Sequence, residues 1–158
     1  MSFLGSDDWL KVLDSPMITV RAAAESDLPL LEKIYLDSLE NAEWLPRMRP
    51  ELRDFKSVTE GELIFVAVDD DLGVAGFVSI WRPDSFVHHL YVARTMQRRG
   101  VGTALLQSLD SWLPRPWTLK CNCKNTSALA FYESLGWTIA EQGESEDGLY
   151  LFLKLSNR

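Results

Sequence analysis

The segment Gln97–Gly102 has the composition of an anion-binding loop. It reads Gln-Arg-Arg-Gly-Val-Gly and lies between an apolar strand-like run and a helix-like run. Two glycines at such a turn let the backbone approach a ligand with no side chain in the way. The first amides of the following helix lack intrahelical partners and can donate to an anion, and Arg98 and Arg99 add positive charge. The simplest ligand is a phosphate or pyrophosphate group.

Two common nucleotide sites are not encoded around this loop. A dinucleotide fold needs a spaced glycine fingerprint and an acidic residue on the next strand. A nucleoside-triphosphatase loop needs Gly-Lys-Ser or Gly-Lys-Thr, and the sequence contains neither. The loop is therefore expected to hold the phosphates of another cofactor.

Hydrophobic periodicity and turn residues predict the elements that position the loop. Ser26 or Asp27 is the expected cap of the first helix, and Glu40–Lys56 is expected to form a loop with a short second helix. A polar connector is predicted at Gln142–Gly148. The predicted strands are Ile18–Arg21, Leu63–Val68, Val74–Trp81, Phe86–Val92, Trp117–Cys123, Trp137–Ala140 and Leu149–Leu155. The predicted helices are Leu28–Leu39, a helix from Val101 to about Trp112, and Ser127–Leu135.

Length and charge restrict the class of protein. The 158 residues suit one domain, with residues 1–16 as an N-terminal extension and residues 17–158 as the domain. The net charge of −7 argues against general binding of nucleic acid or of an anionic membrane. No secretory signal is visible at the start of the sequence, so a cytoplasmic protein is expected.

The chain has two cysteines and two histidines. Cys121 and Cys123 alternate with polar residues in a predicted strand, about 6.5 Å apart, which is a poor geometry for a disulfide. Reduced thiols are therefore expected. With only the adjacent His88 and His89 as further ligands, no metal site is expected.

The glycine loop and a later segment together resemble the GNAT superfamily of N-acetyltransferases. Gln97–Gly102 matches that family's pyrophosphate loop, and Leu90-Tyr91-Val92 is similar to its pantetheine-pairing strand. Asn125, Ala128, Phe131-Tyr132 and Leu135-Gly136-Trp137 resemble its second cofactor motif. The resemblance covers roughly residues 17–158. It implies an α/β (α+β) fold, with a mixed, mostly antiparallel twisted sheet flanked by helices and central strands that splay apart.

The resemblance implies acetyl-CoA as co-substrate and direct acetyl transfer to a primary amine. The pyrophosphate of coenzyme A suits the loop amides, and its pantetheine arm can pair with a strand edge. The cofactor-binding residues expected from the family pattern are Leu90, Tyr91, Val92, Gln97, Arg98, Arg99, Gly100, Val101, Gly102, Thr103, Asn125 and Tyr132. For Asn125, capping of the following helix is an equally open role.

Catalysis by this route needs a base for the amine and a donor near the departing sulfur. Tyr132 matches the family tyrosine whose hydroxyl reaches the thioester sulfur. His88 matches a strand position that some members use for the base, so it is favoured over His89. In a regular strand the two neighbours point to opposite faces, so only one could face a given cleft. A water relay to a more distant carboxylate is the alternative.

Several questions stay open at this level. A binding module that senses acyl-CoA without transfer, or an enzyme using another acyl-CoA, fits the same motifs. The acceptor is a small-molecule or peptide amine, and a homodimer is compatible with the family. Trp44 and the acidic residues Glu144–Asp147 lie where this family usually builds the acceptor pocket.

Overall fold

The protein is described here by a computed structural model that covers residues 18–45 and 53–157. The predicted N-terminal extension and the central part of Glu40–Lys56 lie outside these ranges. The strands are β1 (Ile18–Ala22), β2 (Leu63–Asp69), β3 (Gly73–Trp81), β4 (Phe86–Val92), β5 (Trp117–Asn122), β6 (Thr138–Ser145) and β7 (Gly148–Leu155). The α-helices are α1 (Leu28–Glu40), α2 (Phe55–Val58), α3 (Val101–Ser108) and α4 (Thr126–Ser134).

The strands form one seven-stranded sheet in the order β1-β2-β3-β4-β5-β7-β6. All neighbours are antiparallel except β4 and β5. These two parallel strands share a single ladder pair, Phe86 with Thr118, near the start of each strand. Beyond this pair they diverge. The expected mixed, mostly antiparallel sheet with splayed central strands is therefore confirmed.

Each face of the sheet carries its own hydrophobic core. Helices α3 and α4 cover one face, where Leu105, Trp117 and Leu119 are buried. Helix α1 and the short helix α2 cover the other face, where Tyr35 and Phe77 are buried. Because side chains alternate along a strand, β4 contributes to both cores. Its residues Leu90 and Val92 pack toward α3, and Tyr91 packs toward α1.

The start of α1 differs from the expectation. No side-chain hydrogen bond from Asp27 caps the helix. Instead its carboxylate accepts a hydrogen bond from the amide of Ala24 at 2.7 Å and pairs with Arg21 at 2.7 Å. Asp27 therefore closes the 3-10 turn Glu25–Asp27 that precedes the helix, rather than the helix itself.

The prediction of a polar connector at Gln142–Gly148 is wrong. Most of it belongs to β6 and β7, which pair from Thr138 to Ser145 and turn at Glu146 and Asp147. Strand β6 is at the sheet edge and is exposed on almost every residue. It therefore lacks the apolar alternation by which a strand is recognised in sequence. Within the residues the structure describes, no helix is long and apolar enough to cross a membrane.

Candidate active site

A cleft of about 880 Å³ lies beside the diverging part of β4, between the glycine loop, the end of α1 and α4. Every cofactor-binding residue expected from the sequence lines this cleft, with the exception of Arg99. Ala128 and Phe131, which belong to the second cofactor motif, also line the cleft. Further lining residues, which sequence analysis did not single out for the cofactor, are Ser38, Asn41, Ala42, Glu43, Trp44, Arg94 and Ser127. The structure thus gathers the glycine loop, β4 and α4 around one cavity.

The floor of the cleft at the glycine loop is built from backbone amides. Gly100 precedes α3 in the left-handed conformation, with φ of 80°, and Arg98 also has a positive φ of 65°. The first bond closing the helix runs from the amide of Ala104 to the carbonyl of Gly100, at 3.0 Å. The amides of Val101–Thr103 therefore have no intrahelical acceptor. Together with Arg98, they form a positively polarised site for an anion.

One edge of β4 is free for pairing beside this loop. The strand pairs with β3 along most of its length, but on the β5 side its ladder ends at Phe86. Leu90, Tyr91 and Val92 line the cleft along the diverging part. An extended chain of amides can hydrogen-bond to such an edge as an added strand would.

Helix α4 supplies the wall opposite β4. Asn125 caps this helix, because its side-chain oxygen accepts a hydrogen bond from the amide of Ala128 at 3.4 Å. It also lines the cleft, so the two roles considered for it do not exclude each other. Tyr132 is buried, and its ring packs edge-on against Phe131 and Trp137. Burial raises the pKa of the Tyr132 hydroxyl well above its usual range, so the hydroxyl is protonated at neutral pH.

The expectation that His88 and His89 point to opposite faces is wrong. A β-bulge lies here: Ser79 pairs with His89, the next residue of β3 pairs with Val87, and His88 is left without a ladder partner. A bulge shifts the alternation of side chains by one residue. The two imidazole rings are therefore on the same side, with ring centroids 3.9 Å apart. Neither histidine is among the residues lining the cleft.

Both histidines meet Glu62, which sequence analysis missed. Its Oε2 lies 2.7 Å from Nδ1 of His88, and its Oε1 lies 3.6 Å from Nδ1 of His89. Nδ1 of His89 is also 2.7 Å from the hydroxyl of Ser79. Glu62 precedes β2, 26 residues before His88. No local motif marks such a residue, although the pairing of β2 with β3 in a predicted hairpin could have placed it near β4.

The surroundings set the charge of this histidine–glutamate cluster. Burial alone would raise the pKa of Glu62, but the two imidazoles outweigh burial and hold that pKa at about 2. Glu62 is therefore an anion at neutral pH. Burial lowers the pKa of His89, so this ring is neutral at neutral pH. The side chain of His88 is 42% exposed and is the part of the cluster open to solvent.

A sequence model of the acetyltransferase (GNAT) family matches residues 28–137. The match spans the glycine loop, β4 and the helix that carries Tyr132. The chain belongs to the GNAT family of acetyltransferases. This GNAT protein is therefore an N-acetyltransferase, as the family motifs in the sequence indicated.

Known proteins resemble the GNAT chain along most of its length. It is 28% identical to peptidyl-lysine N-acetyltransferase YiaC of Escherichia coli in an alignment of 128 residues that covers 77% of this chain and 84% of YiaC. The solution structure of apo YjaB from Escherichia coli matches with a TM-score of 0.73 at 22% identity, covering 87% of this chain and 97% of YjaB. The structure of yncA from Salmonella typhimurium with acetyl-CoA matches with a TM-score of 0.65 at 20% identity, covering 88% and 93%.

Proposed function

We propose that this protein transfers the acetyl group of acetyl-CoA to a primary amine by direct attack of the amine on the thioester. The observation that carries the proposal is the single cleft in which the glycine loop, the free edge of β4 and Tyr132 meet. Each of these three parts suits a different part of acetyl-CoA: the pyrophosphate, the pantetheine amides and the sulfur. The solved relative that contains acetyl-CoA has the same fold.

The loop and β4 have the roles of binding and orienting. The amides of Val101–Thr103 and the guanidinium of Arg98 neutralise the pyrophosphate. The backbone of Leu90–Val92 holds the pantetheine arm extended, which fixes where the thioester lies. A backbone amide of the same strand edge can stabilise the oxyanion that develops on the acetyl carbonyl.

Tyr132 and His88 have the proposed chemical roles. The Tyr132 hydroxyl donates a hydrogen bond to the sulfur as the thiolate departs. His88 takes a proton from the substrate ammonium, which leaves the neutral amine to attack the thioester. Glu62 holds Nδ1 of His88, so Nε2 is the nitrogen that accepts the proton. Because His88 does not line the cleft, the proton passes through an intervening water.

The acceptor is proposed to be a lysine-like amine on a peptide or small molecule. YiaC, by its name, acts on peptidyl-lysine. Trp44 and Glu43 line the cleft, and an aromatic and an acidic side chain suit an alkylammonium group. The acidic segment Glu144–Asp147 lies at the β6–β7 turn, and the chain carries a net charge of −7. Both favour a cationic acceptor over an anionic one.

The direct test has two parts. Calorimetric titration with acetyl-CoA should show binding at one site per chain, and absence of binding at millimolar ligand would contradict the cofactor assignment. Release of free thiol is then followed with lysine peptides and polyamines as acceptors. Binding without thiol release from any amine would favour the acyl-CoA sensor. Faster release from succinyl- or propionyl-CoA would favour another donor.

A further inference from the structure

Only one of the two carboxylate oxygens of Glu62 has a hydrogen-bond partner among the described residues. Its side chain is 3% exposed, and Oε1 has no hydrogen-bond partner among the described residues. A buried anionic oxygen without a partner is costly. This oxygen lies 3.6 Å from Nδ1 of His89, while the other oxygen, Oε2, is 2.7 Å from Nδ1 of His88. Glu62, His88 and His89 each offer a ligand atom, and one carboxylate oxygen has no hydrogen bond to a described residue.

We propose that Glu62, His88 and His89 form a binding site for a divalent transition-metal ion such as Zn²⁺. The three ligand atoms all lie within 4.8 Å of one another. In a tetrahedral zinc site with bonds of about 2.1 Å, ligand atoms are about 3.4 Å apart. Oε2 of Glu62 is 2.7 Å from Nδ1 of His88, and Oε1 is 3.6 Å from Nδ1 of His89, so the carboxylate has one oxygen beside each imidazole. Small side-chain rotations would close the three atoms around an ion, and the ion would replace the contact between Nδ1 of His89 and the Ser79 hydroxyl.

The donor set suits zinc in chemistry as well as in spacing. Two imidazoles and one carboxylate are the three protein ligands of one common type of open zinc site. The bulge at His88 is what supplies two adjacent imidazoles on one side of β4, which a regular strand cannot do. Because His88 is half-exposed, the fourth coordination position can be taken by water. Sequence analysis predicted no metal site because it counted the two histidines as ligands but did not include Glu62.

A metal ion in this site should switch off acetyl transfer, an effect that rests on the proposed function. Without metal, the Nδ1–H of His88 donates to Glu62 and Nε2 has the free lone pair. An ion on Nδ1 of His88 moves the proton of the neutral ring to Nε2. That nitrogen can then no longer accept a proton from the amine. Metal binding and the base role of His88 are therefore mutually exclusive.

Metal binding is tested without any activity measurement. Tag-free protein is treated with chelator, exchanged into metal-free buffer, and titrated with Co²⁺ while the visible absorption is recorded, and with Zn²⁺ by calorimetry. We expect one ion per chain, micromolar affinity for Zn²⁺ and the intense absorption bands of tetrahedral Co²⁺. No saturable binding at 1:1 stoichiometry would overturn the proposal.

Variants assign the ion to this cluster. Loss of an outer-shell partner alone costs about 10- to 100-fold in metal affinity, so Glu62→Gln should weaken Zn²⁺ binding at least that much. His88→Gln, at a half-exposed position, removes a second ligand and leaves a side-chain amide that can donate to Glu62 in place of the imidazole. Glu60→Gln, an exposed glutamate of the same turn, and Cys123→Ser should bind as the wild type does. Unchanged affinity in both ligand variants would refute the site.

Inhibition is measured separately by thiol release with and without Zn²⁺. We expect loss of activity at the metal concentration that saturates the spectroscopic titration, and recovery with chelator. Saturation of the site with unchanged turnover would refute the switch, and with it the base role of His88. An inactive metal-free protein would count against the proposed function but would leave the spectroscopic result intact.

Discussion

Replacing Tyr132 by Phe removes one hydroxyl from the wall of the cleft and keeps the ring. The aromatic contacts with Phe131 and Trp137 are retained. The hydroxyl makes no hydrogen bond with any other described residue. We therefore expect the free energy of unfolding to change by less than about 1 kcal/mol. The substitution isolates what the hydroxyl does for the departing sulfur.

The structure limits how Tyr132 can act. An alkyl thiol has a pKa of about 8.5 and an ordinary tyrosine about 10, and burial raises the pKa of Tyr132 further. Full proton transfer to the thiolate would therefore be uphill by more than about 2 kcal/mol. Donation of a hydrogen bond avoids this cost. Hydrogen bonds to charged groups contribute about 1.5–3 kcal/mol, so kcat should fall about 10- to 150-fold.

The assay combines thiol release at saturating acetyl-CoA with calorimetric affinity for acetyl-CoA. We expect kcat to fall while the Kd for acetyl-CoA stays within about twofold, because the bond forms as charge develops on sulfur. The ratio of wild-type to variant kcat should be constant from about pH 6 to 9, since Tyr132 stays protonated there. Tyr150→Phe, which removes a hydroxyl that does not line the cleft, is the matched control.

Three outcomes would refute this reasoning. An unchanged kcat would remove Tyr132 from the chemical step. A loss confined to acetyl-CoA affinity would make it a binding residue. A ratio that collapses at alkaline pH would show that Tyr132 ionises in the working range, contrary to its burial.

Three further predictions concern the fold, and urea unfolding at fixed temperature checks them. A Cβ at Gly76 would lie 2.6 Å from the carbonyl oxygen of Tyr91, so Gly76→Ala should lower the free energy of unfolding by about 1–3 kcal/mol or more. A Cβ at Gly102 would meet only the ring edge of Phe131 at 3.1 Å, so Gly102→Ala should lower it less. Equal losses in the two variants would contradict the contact at Gly76. Asp27→Asn should cost about 1–2 kcal/mol at pH 7. The pKa of Asp27 is lower in the folded chain than in the unfolded chain. The carboxylate should therefore contribute its full stability to the wild type above about pH 4, and this contribution should be lost as the pH falls through the lowered pKa. The Asp27→Asn variant should not show this loss of stability in acid. Asn125→Ala should cost about 1 kcal/mol through loss of the α4 cap, and no change would refute the cap.

Much of the fold could be predicted because the elements that position the cleft carry local signals. Strand β5 alternates cleanly, and its apolar members Trp117, Leu119 and Cys121 are all buried. The glycine loop is recognisable in the sequence because Gly100 has a left-handed backbone conformation that most residues avoid. Strand β6 had no such signal, since both its faces are exposed.

The histidine–glutamate cluster could not be predicted because two non-local facts create it. The bulge that turns His88 and His89 to one side depends on the register between β3 and β4, which no local pattern specifies. Glu62 then joins them from the turn before β2. The alternation of side chains along a regular strand predicted that His88 and His89 point to opposite faces. The prediction failed because the pairing between β3 and β4 is interrupted by a bulge at this point.

The single β4–β5 pair is the one ladder contact between two parts of the described sheet. Four strands, β1–β4, lie on one side of it and three, β5, β7 and β6, on the other. Next to this pair, the Thr118 amide donates a hydrogen bond to the Ser85 carbonyl at 3.2 Å. A ligand pairing with β4 in the gap would fill the place of a missing strand and would stabilise the native state in proportion to its concentration. The rigidity of the sheet between β4 and β5 would then depend on the concentration of acyl-CoA in the cell.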